Sequence, residues 1–393
     1  MIQPHGNQNF IALYESDFDR RQTLLEESRN LPSLVLNSAA ASNAVMLGGG
    51  YFSPLNGYMN ISDALSVSKY MKTKNGLFWP IPILNLATNI NGIERASRIA
   101  LRDPNIQDNP VMAIMDVEDI ENISSSDKDE IIKNIFGTLD HHHPGVKVFR
   151  NLGNFCISGS IRVLSHSYFS LNHKNTYKTA VQLREEINRL GWKKIIAFQT
   201  RNPMHLAHEE LCRIAMDSLN ADGMIIHIPL GKLKQDDIPA HIRNKCIQKM
   251  IDVYFASDST ILSGYGFDMF YAGPREALLH AIFRQNMGAT HMIVGRDHAG
   301  VGSYYGPFDA QAVFDRLPNN SLKIQIFNAD HTAYSRKLNR VVMMNKVNDH
   351  TLEDFIILSG NEMRKILKSG TVLPETITRP EVSRILIDYY RSL

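Results

Sequence analysis

At 393 residues the chain is long for a single hydrophobic core and points to two or three domains. Hydrophobic residues make up 44% and charged residues 21%, and 42 Lys plus Arg against 40 Asp plus Glu leave a net charge of +2; this is an ordinary globular balance, and it excludes a strongly basic nucleic-acid binder as the default. Cys156, Cys212 and Cys246 form no Cys-x-x-Cys pair, the N-terminus "MIQPHGNQNF" lacks a signal-peptide pattern, and no apolar run reaches the length of a membrane span. A cytoplasmic protein with no disulfide framework, no thiolate zinc site and no membrane partner is therefore expected.

In chain order, amphipathic spacing predicts helices over Asp17 to Asn30 and Ser62 to Lys72. The rest of the first 170 or so residues reads as β-rich, with strand candidates in "FWPIPILNLAT", "PVMAIMDV" and "VKVFRNLGNFCISGSIRVL". From about residue 190 the texture changes to strand–helix alternation. "KKIIAF" precedes a helix predicted from Pro203 to about Leu219. "GMIIHIPL" precedes one from Pro239 to about Phe255, "STILSG" one from Pro274 to Met287, and "THMIVG" is a fourth strand. That alternation implies a parallel sheet with helices on both faces. After residue 330 the chain is more polar, with helices predicted from Asn361 to Lys368 and through "TRPEVSRILIDYYRSL".

Ligands in open α/β sheets bind beyond the carboxyl ends of the strands. Two polar loops fall there. One is "QTRNP", starting at Gln199; the other is "GRDHAG", Gly295 to Gly300. Asn202 and Pro203 read as N-cap and first helical residue, so that free N–H groups and a positive dipole end face the crevice. His205 and His208 then share a face at i and i+3, and Arg201 and Arg296 add two-pronged donors suited to phosphate or sulfate. Donors dominate, which favours an anion grip over a metal clamp. Asp297 and His298 keep a metal hydrolase open, because they could complete a ligand set with the histidines. "DHHHPGV", Asp140 to Val146, is a second histidine cluster that reads most simply as a solvated loop. "GKLKQDDIP" lacks the spacing of a phosphate loop.

The segments "QTRNPMHLAHEEL" and "GPREALLHAIFRQNMGATHMIVGRDHAG" resemble the two signatures of the ATP sulfurylase family, and "PHG", "YFSPLNGYM", "WPIPI", "HPGV", "DDIP", "SGNEMR" and "TRPEV" follow the family order. The resemblance implies a β-rich PUA-like N-terminal domain (1–170), a Rossmann-like α/β nucleotidyltransferase domain (171–330) and a small C-terminal α/β subdomain (331–393). It implies conversion of ATP and sulfate to adenosine 5′-phosphosulfate and pyrophosphate, with Mg²⁺ on the nucleotide, in a homo-oligomer. Carried over by motif, Thr200, Arg201, Asn202, His205 and His208 form the catalytic core. Gln199, Arg201 and the Ala299 N–H would hold sulfate. Gln199, Arg201, Asn202, Pro203, Met204, His205, His208, Gly295, Arg296, Asp297, His298 and Met344 would meet the nucleotide, the two histidines at its β- and γ-phosphates.

Sulfate has no proton to lose at neutral pH, so the chemistry needs no general base. It needs two anions brought together and charge absorbed on the leaving group. The chain departs from the family at Leu206, where relatives often have Arg, and at "LSGN", Leu358 to Asn361, often "ISGT", where Asn361 is expected to cap the helix. No cysteine lies in 310–350, so no zinc is expected, and no phosphate loop follows to suggest a fused kinase. A nucleotidyltransferase with another anionic acceptor is the alternative. RNA binding through the PUA-like half is disfavoured by the charge balance and by the lack of an evident aromatic-basic face.

Overall fold

The computed structural model describes residues 1–7, 9–232 and 237–393. The first half comprises α1 (Phe18–Glu27), β1 (Ser33–Val35), α2 (Ser38–Gly48), β2 (Gly57–Tyr58), α3 (Ile61–Tyr70), β3 (Leu86–Ala87), β4 (Arg98–Arg102), β5 (Val111–Asn122), α4 (Ser125–Phe136), α5 (Pro144–Arg150), β6 (Phe155–Val163) and α6 (Phe169–Asn172). Its sheet runs in the order β1-β4-β5-β6-β2, with β3 also on β6; β1 and β4 are parallel and the remaining pairs antiparallel.

Two of the expected strands are corrected here. "FWPIPILNLAT" supplies only the two residues of β3. Pro80 and Pro82 cannot donate to a ladder, so the segment crosses the core as irregular chain with Trp79, Ile81 and Ile83 fully buried. Residues 146–150 belong to a helix, because Pro144 occupies its first turn and His143 caps it: His143 Nδ1 accepts from the N–H groups of Gly145 and Val146 at 3.1 and 3.3 Å. His143 is buried and is not a solvated loop residue, whereas His141 and His142 are exposed.

The second half alternates as expected: α7 (Ala180–Leu190), β7 (Ile195–Gln199), α8 (Leu206–Leu219), β8 (Gly223–Pro229), α9 (Ala240–Tyr254), β9 (Thr260–Tyr265), α10 (Pro274–Asn286), β10 (His291–Val294), α11 (Asp309–Asp315) and β11 (Gln325–Asn328). These strands form one all-parallel sheet in the order β11-β10-β7-β8-β9. The chain winds outward from β7 through β8 and β9, then returns to the other side of β7 with β10. The order reverses between β7 and β10, which makes that gap the switch point where such sheets bind ligands. There the strands pair at only two positions, His291 with Ile196 and Met292 with Ala197. Phe198 and Gln199 pair only on the other side, with β8.

The last part is not purely helical. β12 (Thr332–Ser335), β13 (Arg340–Met343) and β14 (Phe355–Ile356) form a small antiparallel sheet beside α12 (Gly360–Lys368) and α13 (Pro380–Arg391). Ser359, rather than Asn361, caps α12: its hydroxyl accepts from the Glu362 N–H at 3.2 Å and the Glu362 carboxylate accepts from the Ser359 N–H, a reciprocal capping box two residues earlier than expected. Among the described residues no helix is long and apolar enough to cross a membrane. The "GKLKQDDIP" stretch and the first Asp of "DDIP" fall partly on 233–236, outside the described residues.

Candidate active site

Helix α8 begins at Leu206, three residues after the expected start. Asn202 and Pro203 do not cap or enter it. Thr200 holds them in a turn instead: its hydroxyl accepts from the Asn202 N–H at 3.1 Å and donates to the Asn202 carbonyl at 3.0 Å. Such a side-chain turn competes with helix and keeps 200–204 irregular. His205 becomes the N-cap and His208 the third residue of the helix, and the His205 N–H donates to His208 Nδ1 at 3.4 Å. The two imidazoles lie against each other with centroids 3.9 Å apart. Burial, then the nearby His331, lowers the His205 pKa to about 4; burial, then His205, holds that of His208 well below its ordinary value. Both rings are neutral at physiological pH and offer N–H groups rather than charge.

Residues 201–208 contribute to the walls of two small cavities. The first, of about 180 Å³, is lined by Arg201, Gly273, Asp297, His298, Gly300 and Tyr305 among others. The second, of about 190 Å³, is lined by Asn202, Pro203, Met204, His205 and His208, faced by Met363, Leu367 and Tyr390 of the C-terminal helices. The structure therefore brings the loops after β7 and β10 together, as their strand-end positions require. Arg201 Nη2 donates to the Gly300 carbonyl at 3.4 Å, its guanidinium lies 5.3 Å from the Tyr271 ring centroid, and its buried Nη1 has no partner. A buried donor left without an acceptor is free to take up a ligand oxygen.

In the second loop, Asp297 and Ala299 take positive φ values of 55° and 54°, which turn the chain sharply past Arg201. Arg296 and Asp297 are exposed and pair at 3.2 Å. The loop is pinned from the N-terminal half. His143 Nε2 and the Tyr305 hydroxyl are 3.1 Å apart, and the Tyr304 hydroxyl donates to Asp140 at 2.7 Å. Gly273, at φ 51°, makes room for this arrangement, since a Cβ there would stand 2.7 Å from the Tyr305 ring. The exposed Asp140, His141 and His142 place ligand atoms within 4.8 Å of one another, but both Asp140 oxygens already accept hydrogen bonds, from His142 and Tyr304.

Met344 packs with Ala333, Val342 and Phe355 beside the small C-terminal sheet. Like Gln199, Thr200, Gly295, Arg296 and Ala299, it lines neither cavity. Leu206 is buried and donates its N–H to the Ile377 carbonyl at 3.0 Å, so its side chain packs rather than facing the crevice. Next to it, the fully buried Glu209 accepts from Arg379 at 2.8 and 2.9 Å and from Arg213 at 3.0 Å. This pair ties the C-terminal helices to the helix that carries His208.

Sequence reasoning assigned no role to α10, yet Glu276, His280 and Arg284 recur on it at i, i+4 and i+8 and are all fully buried. Burial raises the Glu276 pKa to about 7, against N–H donors from Ala272 and Phe270. His280 Nδ1 and His298 Nε2 share a hydrogen across 3.1 Å. Burial, then the charges of His280, Arg284 and Arg201, keeps His298 well below its ordinary pKa. The polar ridge every fourth residue through "EALLHAIFR" was the available signal.

A doubly wound parallel sheet, with guanidinium, imidazole and glycine-rich loops meeting at its switch point, defines an α/β transferase-type site built for anions. The family model described as ATP-sulfurylase matches residues 174–389, and that of a PUA-like domain matches residues 2–166. A protein of Alcanivorax borkumensis named sulfate adenylyltransferase is 54% identical over all of this chain and 98% of its own length. One of the same name from Allochromatium vinosum is 53% identical over all of the chain and 99% of its length. A solved structure described as a hexameric APS kinase from Thiobacillus denitrificans shares the fold at TM-score 0.73 and 22% identity, over 98% of this chain and 68% of that one. The chain belongs to the ATP sulfurylase family, with a PUA-like N-terminal domain ahead of its nucleotidyltransferase fold.

Proposed function

We propose that the chain transfers the adenylyl group of ATP to sulfate, and that the two cavities divide the work. The observation that carries this reading is that consecutive residues of one short segment line two different cavities. Arg201, with its unpaired buried Nη1, lines the first; Asn202, His205 and His208 line the second.

In this reading Gln199, Arg201 and the Ala299 N–H hold sulfate, with Thr200 shaping the loop beneath them. His205 and His208 hold the β- and γ-phosphates, and the residues from Gly295 to His298 meet the nucleotide. A sulfate oxygen attacks the α-phosphorus in line, the bond to the bridging oxygen of the pyrophosphate breaks, and the electron pair leaves with pyrophosphate. No side chain becomes covalently attached. Neutral imidazole N–H groups suit the leaving side, because they strengthen their hydrogen bonds as charge develops there without binding the ground state as strongly as fixed cations would. Mg²⁺ enters as part of the substrate: among the described residues the one carboxylate lining the first cavity, Asp297, is exposed and engaged by Arg296, which suits a hydrated, phosphate-borne ion better than a protein cage.

The test is ATP formation from adenosine 5′-phosphosulfate and pyrophosphate. Folded protein that makes none would refute the reading. Molybdate, as a sulfate mimic, should drive breakdown of ATP to AMP and pyrophosphate; competition by chlorate distinguishes sulfate from another anionic acceptor. We further propose a homo-oligomer in solution, to be read by light scattering.

A further inference from the structure

Gln199 ends β7 at the switch point, and its carboxamide has two unlike faces: an oxygen that only accepts and an NH₂ that only donates. Which end faces the crevice decides whether it attracts or repels an oxyanion. In the structure Gln199 Oε1 accepts from Arg284 Nη2 at 2.5 Å. A guanidinium has no acceptor, so the oxygen must face it and the NH₂ is turned away from it.

Arg284 is well held for such a task. It is fully buried, and its other bonds run to the His280 carbonyl at 3.2 Å and the Tyr265 hydroxyl at 3.3 Å. The Tyr265 ring centroid lies 5.0 Å from its guanidinium. Among the described residues no carboxylate ion-pairs with it, and its Nε has no partner. A buried, uncompensated cation is costly to retain, and pairing it with an acid or replacing it by an apolar side chain would cost the fold less. Its one contact with the proposed sulfate group is the Gln199 oxygen.

We propose that Arg284 is a positioning residue for sulfate: it locks the Gln199 carboxamide with its NH₂ toward the anion. This rests on the reading of Gln199 as a sulfate ligand. Sulfate accepts only, whereas hydrogen phosphate carries a proton that needs an acceptor. A locked NH₂ therefore favours the first, and an amide free to turn loses that preference.

The experiment measures KM for sulfate and for MgATP, and inhibition by chlorate and by inorganic phosphate, in Arg284→Met, Arg284→Lys, Gln199→Ala and Gln199→Glu, with thermal unfolding of each. In Arg284→Met, KM for sulfate should rise about ten- to hundredfold, the weight of a hydrogen bond to a charged group, with KM for MgATP within about twofold. Chlorate inhibition should weaken in parallel while phosphate inhibition does not. Arg284→Lys keeps one donor for the Gln199 oxygen and should recover most of the loss. If Arg284→Met does not fold, Gln199→Glu carries the test. It keeps its partner in Arg284 but turns an acceptor toward sulfate, so it should bind sulfate more weakly than Gln199→Ala at unchanged stability. Parallel rises in both KM values, Arg284→Lys no better than Arg284→Met, or Gln199→Glu no worse than Gln199→Ala would overturn the positioning role while leaving Gln199 as a ligand. An unchanged sulfate KM in Gln199→Ala would overturn the placement of Gln199 itself, and this inference with it.

Discussion

The two cavities beside the loop after β7 are of similar size but differ in lining. One carries fixed charge: Arg201 lines it, and Arg284 lies behind at Gln199. The other holds two imidazoles kept neutral by burial, faced by apolar side chains of the C-terminal helices, with the charged Asp237 and Arg364 also in its wall. Permanent cations suit an anion that must be captured from water. Neutral donors against apolar side chains suit charge that appears during the reaction, where low polarity magnifies each hydrogen bond.

The sharpest way to break this contrast is Arg201→Ala. Losing two charge-assisted hydrogen bonds should cut kcat/KM for sulfate by about 10³-fold, chiefly through KM. His205→Ala and His208→Ala should instead lower kcat by about 10²-fold, the scale of one oxyanion donor, with sulfate KM changed by less than about threefold. Steady-state kinetics in both substrates separates these outcomes. Equal loss in KM and kcat for the histidine variants would erase the distinction between the two sides.

Glu209→Ala probes what closes the second cavity. It leaves Arg379 and Arg213 facing an empty site and should destabilise the protein by about 3 kcal/mol in chemical denaturation. A value near zero would show that the C-terminal helices are held by packing alone.

Stability should also depend on pH. His5, His166 and His205 all have pKa values lowered to about 4, chiefly by burial. In the unfolded chain they take up protons near 6.5, so between pH 6.5 and 4 the unfolded state binds more protons and stability falls on acidification. Glu276, raised to about 7, acts in the opposite sense: its contribution is fully present below pH 4.5 and is lost as pH rises to about 7. The histidines lowered by burial, which also include His208, His227, His280 and His298, outnumber the raised acids Glu210, Asp268 and Glu276, so the unfolding midpoint should drop between pH 6.5 and 4. A midpoint that rises on acidification would contradict the neutral state of the histidines.

Much of this was readable from residue types. The strand–helix alternation after residue 190 foretold a parallel sheet, and loops at strand ends foretold which segments would meet. What could not be read was competition between local patterns. Asn202-Pro203 is a good helix start, but the Thr200 hydroxyl captures the Asn202 N–H first, so the helix waits until Leu206. Residues 146–150 alternate like a strand, yet Pro144 and the His143 imidazole make them a helix. Glu276, His280 and Arg284 were within a recognised motif, but their roles depend on partners far along the chain: His298 for the imidazole and Gln199 for the guanidinium. Met344 lay in a stretch of weak resemblance, and it sits in a separate small core.

The brief pairing of β7 with β10 gives the crevice its form. The two strands are zipped at Ile196 and Ala197 and then part. The entrance is an unstitched seam in the sheet, and its walls are the very strands that hold the domain together. A substitution that prolonged the zipper past Ala197 would narrow the mouth while leaving every ligand-facing side chain in place. On the function proposed above, substrate access would depend on how far one ladder of backbone hydrogen bonds is allowed to run.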